Sequence, residues 1–224
     1  MVPTMKIVDT LAEQARLEEL LEESKPAVPA DCRHLHYLLF TPFRYGAPYP
    51  HGSRLRRAGA TPGVFYASQT VATAITETAF ARLLFFGNSP ATPWPTNPLE
   101  RTAFQVRFRT TRGLDLIAEP FNRDRARWTD PTDYAGCQDL AEAARVAGVQ
   151  VIRYASARDP RGVNIAVLTC AAFGVAAPLA QQTWHLHLDG RGVRAFCTDP
   201  EQRIEFDRTF FAGDPRIAAL RWER

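Results

Sequence analysis

Glu77 is the one carboxylate in residues 71–86, a stretch where helical spacing puts apolar residues on both sides. At 3.6 residues per turn it shares a face with Thr73, Phe80 and Leu84, while Val71, Ile75 and Ala79 line the other side. A helix apolar all round is buried, and it carries the carboxylate in with it; a buried acid needs a partner. That partner is either an arginine in a structural ion pair or a ligand, unless a helix-end position lets the acid reach solvent. Spacing alone weights these readings equally. Just upstream, Gly52-Ser53-Arg54 opens a small basic cluster with Arg56 and Arg57. Such clusters are usually solvated surface, but the planar guanidinium fork also suits phosphate and carboxylate. Between the two, Tyr66 and Ser68 alternate onto one side of a short β-rich run. A ring and a hydroxyl placed there could flank a planar ligand, with an anionic group on the arginine loop and an acid beside the reacting bond.

Other constellations are weaker. His185 and His187 alternate on a strand and point the same way, but no third ligand lies near and a zinc site needs three or four. Gly59, Gly63 and Gly87 have neither Walker nor dinucleotide-fingerprint spacing, and no Ser/His/Asp arrangement stands out. Conventional nucleotide enzymes and hydrolases are disfavoured.

The positioning elements follow from the same pattern. Residues 10–24 read as a helix: Thr10 and Glu13 form a capping box, and Lys25-Pro26 ends it. A short linker, 26–31, makes this helix an arm, so we expect a helical arm at residues 1–30 and one catalytic domain at 31–224. Residues 35–41 are an apolar run of strand length, and 42–62 are a long Pro, Gly, Arg and Tyr loop. A strand at 63–67 leads to a helix capped by Ser68 and ending near Phe86. Phe104, Val106 and Phe108 alternate with Gln105, Arg107 and Arg109 as in a half-buried strand. Asp130-Pro131 opens a helix that closes near Gly148. Two β-rich runs, 149–154 and 164–169, precede a hairpin of 183–188 with 193–198 across Asp189-Gly190-Arg191-Gly192. Strands outnumber helices and neighbours are hairpin-linked, so the expected class is α+β rather than a doubly wound sheet.

The chain has 224 residues, 46% of them hydrophobic, which fits one globular domain with an added arm. No apolar run reaches the length of a membrane span, and residues 1–25 are acidic and amphipathic rather than signal-like. Cys32, Cys137, Cys170 and Cys197 are far apart with no CxxC spacing, so reduced thiols and a cytoplasmic location are the default expectation. A net charge of +3 is too small to argue for nucleic acid, and Arg54, Arg56 and Arg57 lack the interleaved aromatics of a base-stacking surface. Lys6 and Lys25 are the only lysines, an arginine bias that GC-rich codon usage largely explains.

Taken together, Arg44-Tyr45, Gly52-Ser53-Arg54, Tyr66, Glu77 eleven residues later, Ser156 in Tyr154-Ala155-Ser156-Ala157, and Asn164 resemble the RES domain family in order and spacing. The family's Gly-Gly-Arg-Trp-Asn loop reads Gly52-Ser53-Arg54-Leu55-Arg56 here. The resemblance implies a fold similar to diphtheria-toxin-like ADP-ribosyltransferases: a compact, largely antiparallel or mixed sheet, split around an NAD cleft and flanked by helices. It implies a toxin that breaks the nicotinamide–ribose bond of NAD by hydrolysis or phosphorolysis, with transfer of ADP-ribose to a protein as the alternative. NAD is then the substrate, and no metal is implied. The same resemblance gives Glu77, Arg54 and Tyr66 catalytic roles and makes Arg44, Tyr45, Ser156 and Asn164 substrate-binding. It also implies a helix-turn-helix, Xre-like antitoxin, a homodimer, no membrane partner, and nucleic acid reached only through the antitoxin. A catalytically dead interaction domain is disfavoured because the Arg, Tyr, Glu and Ser types are all retained.

Overall fold

The computed structural model describes residues 7–45, 52–59 and 62–223. In chain order the elements are α1 (Leu11–Glu23), α2 (Tyr37–Arg44), β1 (Phe65–Ser68), α3 (Val71–Asn88), β2 (Leu99–Gln105), β3 (Gly113–Asp115), α4 (Arg125–Trp128), α5 (Ala135–Val146), β4 (Val151–Ala155), β5 (Val163–Val167), β6 (Ala180–Asp189), β7 (Gly192–Cys197), β8 (Gln202–Asp207) and α6 (Pro215–Ala218). The strands form two four-stranded sheets, ordered β1-β5-β4-β3 and β2-β6-β7-β8. Every pairing is antiparallel except β3 with β4. The class is α+β, as the hairpin-linked pattern predicts.

Burial explains how these layers are held. The inward residues of the second sheet, Trp184, Leu186, Leu188, Val193 and Ala195, pack on Ile75, Ala79, Phe80 and Leu83 of α3. One face of the first sheet, through Ile152, Tyr154 and Ala166, packs on Cys137, Ala141 and Ala144 of α5 and on Leu55. Its other face, Phe65, Val151 and Val167, packs on Leu39 of α2 and a ring cluster of Phe104, Phe108 and Phe173. The helix α3 belongs to the second-sheet core and also meets β1 of the first sheet and α6. Thr76 and Thr78 satisfy their hydroxyls within it by donating to the Ala72 and Ala74 carbonyls at 2.9 and 2.8 Å.

Several expectations are corrected. The run 35–41 is not a strand: His36 Nδ1 accepts from the Leu38 N–H and caps α2, which buries Leu39, while Leu35 is buried just before the cap. Its last residue is Arg44 and its cap Tyr45, so the Arg-Tyr pair closes a helix. Residues 46–51 and 60–61 of the expected long loop lie outside the described residues. Thr70, not Ser68, caps α3 by accepting from the Thr73 N–H. The strand expected around Phe104–Phe108 begins at Leu99 and ends at Gln105; beyond it the alternation persists in extended chain, with Phe108 bridged to Phe173. Asp130 does not open α5 directly. It closes a turn on the Thr132 and Asp133 N–H groups, and the helix starts at Ala135.

The thiol expectation is also replaced. Cys32 and Cys170 are disulfide-bonded, with Cα atoms 5.4 Å apart across 138 residues, while Cys137 and Cys197 are free and buried. Separation along the chain hid the pair, because two short helical turns, Ala30–Cys32 and Cys170–Ala172, meet only in the folded protein. Among the described residues no helix is long and apolar enough to cross a membrane.

The capping box of α1 forms as read, Thr10 and Glu13 each serving the other's backbone. None of its residues is buried. Arg44 secures this arm, ion-paired to Glu22 at 2.6 Å and donating to the Pro26 carbonyl at 2.6 Å.

A buried charge network ties the C-terminal segment to the rest. Asp214 accepts from Arg158 at 3.0 Å and Arg216 at 2.7 Å, and both arginines donate to the Pro131 carbonyl. The Arg158 guanidinium also lies 3.9 Å from the Phe80 ring centroid. Burial would raise the Asp214 carboxyl, but its hydrogen bonds from Arg216 and the Arg158 charge outweigh it and hold it below the usual range. Its contribution is therefore complete at neutral pH and is lost as pH falls through that depressed value. Asp214→Ala is expected to cost about 3–5 kcal/mol, because two arginines lose their shared carboxylate. Denaturant melts against pH check this: the variant should also lose part of the wild type's stability decline below about pH 4.

Candidate functional site

The Glu77 carboxylate emerges from α3 against the end of the first sheet and is half-buried. Its Oε1 accepts two short hydrogen bonds, from Ser156 Oγ and from Asn164 Nδ2, both at 2.6 Å. Both donors are buried, Ser156 3% and Asn164 5% exposed. Each is fixed in turn. Asn164 Oδ1 accepts from Ser68 Oγ at 2.7 Å, and Ser156 Oγ accepts from the Arg158 and Asp159 N–H groups at 3.0 and 2.9 Å. With two backbone donors on its oxygen, the Ser156 proton is committed to Glu77. Ser156 therefore orients the carboxylate rather than facing a ligand on its own.

No arginine pairs with Glu77 among the described residues, and the two groups that hold it are neutral. The ion-pair reading of this acid is thereby set aside. One oxygen is locked, and Oε2 makes no hydrogen bond to a described residue.

Sheet register explains the convergence. Ser68, Asn164 and Tyr154 form one cross-strand row over β1, β5 and β4, on the face toward α5. Two pairs further along, and so on the same face, Tyr66 stands beside Ala166. The Tyr66 ring is 40% exposed, while its hydroxyl is anchored by Ser53 Oγ at 2.8 Å and the Leu55 N–H at 3.0 Å. Burial of that hydroxyl pushes the phenol up, so it stays neutral. This bond ties the Gly52-Ser53-Arg54 loop to the first strand. Gly52 enters the loop at φ +58°, where a Cβ would stand 2.8 Å from the Arg56 carbonyl oxygen, so only glycine fits.

Arg54 is the next residue on that loop. Its two terminal nitrogens donate to the Trp128 and Asp130 carbonyls at 2.9 and 2.8 Å, and the guanidinium lies 4.6 Å from the Tyr134 ring centroid. The backbone therefore neutralises none of its charge: carbonyls orient the cation and leave it available to an anion. Arg56 and Arg57 behave differently. Arg57 is ion-paired with Asp139 and Glu142 on α5, and Arg56 donates to the Tyr45 carbonyl.

Of the residues singled out from sequence, Glu77, Ser156 and Asn164 meet in one hydrogen-bonded group, and the row and loop contacts bring Tyr66 and Arg54 to the same side of the sheet. Arg44 is not brought to that group by any bond; its guanidinium serves Glu22 and Pro26. Tyr45 stands at the end of α2 beside Arg56, 41% exposed. His185 stacks on Phe196 and His187 lies 3.8 Å from Asp189. Sequence reasoning missed Tyr134 and the Trp128 and Asp130 carbonyls, which hold Arg54; nothing in their spacing marks them.

These features define an α+β protein in which a helix-borne carboxylate held by neutral donors and a carbonyl-oriented arginine converge on one face of the first sheet. The RES domain model matches residues 28–189, well over half of the chain, and the chain belongs to that family. Membership is consistent with an enzyme that acts on NAD. The match leaves out α1 and, at the other end, β7, β8 and α6. No curated protein matches the chain.

Ser156→Ala is expected to lower activity about tenfold and stability by about 1–3 kcal/mol, since it frees Glu77 Oε1 and strands two buried N–H groups. Parallel thermal melts and turnover rates check it; Ser156→Thr, which keeps the hydroxyl, should restore part of both.

Proposed function

We propose that this protein cleaves the nicotinamide–ribose bond of NAD, with water or phosphate as acceptor, as the toxin of a toxin–antitoxin pair. The observation that carries the chemistry is the state of Glu77: a half-buried carboxylate oriented by two neutral donors, with no ion-paired cation among the described residues. Such a group is matched to a positive charge that arrives with the ligand and grows in the transition state. In NAD cleavage the C1′–N bond breaks, its electron pair goes to the nicotinamide nitrogen, and the ribose becomes oxocarbenium-like. Nicotinamide leaves as a neutral molecule, so no strong acid is required. Water or phosphate then bonds to C1′ and gives up its proton to solvent or to Glu77.

In this reading Glu77 Oε2 faces the ribose, Tyr66 offers a ring face to the nicotinamide side, and Arg54 meets the pyrophosphate. Ser156, Asn164 and Ser68 hold the carboxylate in one rotamer, which keeps the acid and the bound dinucleotide in a reactive alignment. Arg44 secures the arm rather than the pyrophosphate. The Xre-like antitoxin, the homodimer and the cytoplasmic setting are proposed with the toxin role, on the family resemblance alone.

The test is NAD consumption by purified protein, with and without inorganic phosphate, products resolved by mass. ADP-ribose in water, or its phosphorylated form with phosphate, supports the reading and identifies the acceptor. Loss only after addition of a protein acceptor would replace it with ADP-ribosyl transfer. No loss even with cell extract would overturn it.

A further inference from the structure

We infer that Tyr154 is a ligand-contacting residue of the site, its phenol donating a hydrogen bond to an oxygen of the bound dinucleotide's nicotinamide–ribose half; this rests on the NAD reading above. Tyr154 lies on β4 next to Asn164 in the Ser68–Asn164–Tyr154 row, so it is the immediate neighbour of a group that holds Glu77. The residue is 6% exposed, buried among Leu55, Ile152, Ala166 and the α5 face. Its environment contains Tyr66, Glu77, Arg54 and Cys137, which all act on it electrostatically.

Buried tyrosines usually find a partner for the hydroxyl. This one makes no hydrogen bond to a described residue; burial and neighbouring charges alone account for its altered acidity. Among the described residues Arg145 Nε is the sealed side-chain polar atom that lacks a partner, so the unpartnered Tyr154 hydroxyl keeps a small accessible surface beside the Glu77 group. The contrast with Tyr66 is informative. That hydroxyl is spent on Ser53 and Leu55, whereas the Tyr154 hydroxyl, equally central, is left over.

Burial first, then repulsion from the neighbouring Tyr66 were both phenols to ionise, and the Glu77 carboxylate, push the Tyr154 phenol well above its ordinary range. It stays protonated at every working pH and can only be a neutral donor or a weak acceptor. A neutral donor next to a carboxylate suits a ribose hydroxyl or carboxamide oxygen. It does not compensate the ring cation and so leaves that task to Glu77.

Tyr154→Phe separates a ligand role from a structural one, because phenylalanine keeps the ring and its packing. The wild type and the variant are compared by thermal melts without ligand and by steady-state NAD turnover. The expected result is a ligand-free melting temperature equal to or above wild type, since no protein hydrogen bond is lost, with kcat/KM for NAD lower by about tenfold. A lower melting temperature would make the hydroxyl structural and overturn the inference, as would kcat/KM within twofold of wild type. If the wild type itself does not consume NAD, the reading of the whole site falls and this inference with it. Normal wild-type turnover with an unimpaired variant would remove only the role given to Tyr154.

Discussion

Glu77→Gln is expected to lower NAD cleavage about 100-fold or more while leaving the melting temperature within a few degrees of wild type. The glutamine carbonyl takes the place of Oε1 and still accepts from Ser156 Oγ and Asn164 Nδ2, the two bonds that fix the side chain. Its amide nitrogen replaces Oε2, which bonds to no described residue, so no internal partner is lost. What disappears is the charge. If that charge stabilises an oxocarbenium-like state more than the bound ring cation, the loss falls mainly on kcat, with a smaller rise in KM for NAD. A variant that turned over NAD like wild type would remove Glu77 from the chemistry. One that failed to fold would show that the cluster depends on an ionised acid; Glu77→Asp, which retains the charge on a shorter arm, would then report on activity.

For Arg54→Ala the expected result is a KM for NAD raised about 10- to 100-fold, together with a stability loss of about 1–3 kcal/mol. The two effects have separate causes. The guanidinium is the oriented cation of the Gly52 loop, and its removal takes away the charge assigned to the pyrophosphate. It also strips donors from the Trp128 and Asp130 carbonyls and a cation from the Tyr134 ring. Arg54→Lys should keep part of the affinity but little of the stability, because one ammonium cannot reproduce a fork that spans two carbonyls. Titration of turnover against NAD, beside denaturant melts, resolves the pair. An unchanged KM in Arg54→Ala would move the anion-binding group elsewhere in the cleft.

What the residue pattern determined by itself is local. The Thr10–Glu13 capping box, the all-round apolar character of α3, the β6–β7 hairpin across Asp189–Gly192 and the strands β4 and β5 all follow from contacts a few residues apart. Glu77 stood out for the same reason, as a charge inside an apolar periodicity. Tertiary packing decided the rest. The partners that lock Glu77 come from 79 and 87 residues away, and no spacing rule joins them. Cys32 meets Cys170 only because two helical turns pack together. Residues 35–41 are apolar enough for either a strand or a helix; the His36 cap and the packing of Leu39 against the first sheet choose the helix. The arginines show the division most plainly. Arg44, Arg54 and Arg57 are chemically identical in the sequence, yet one pairs with Glu22, one is oriented by carbonyls and one is neutralised by Asp139 and Glu142. An electrostatic role depends on which groups stand within a few ångströms, and that neighbourhood is set by the fold.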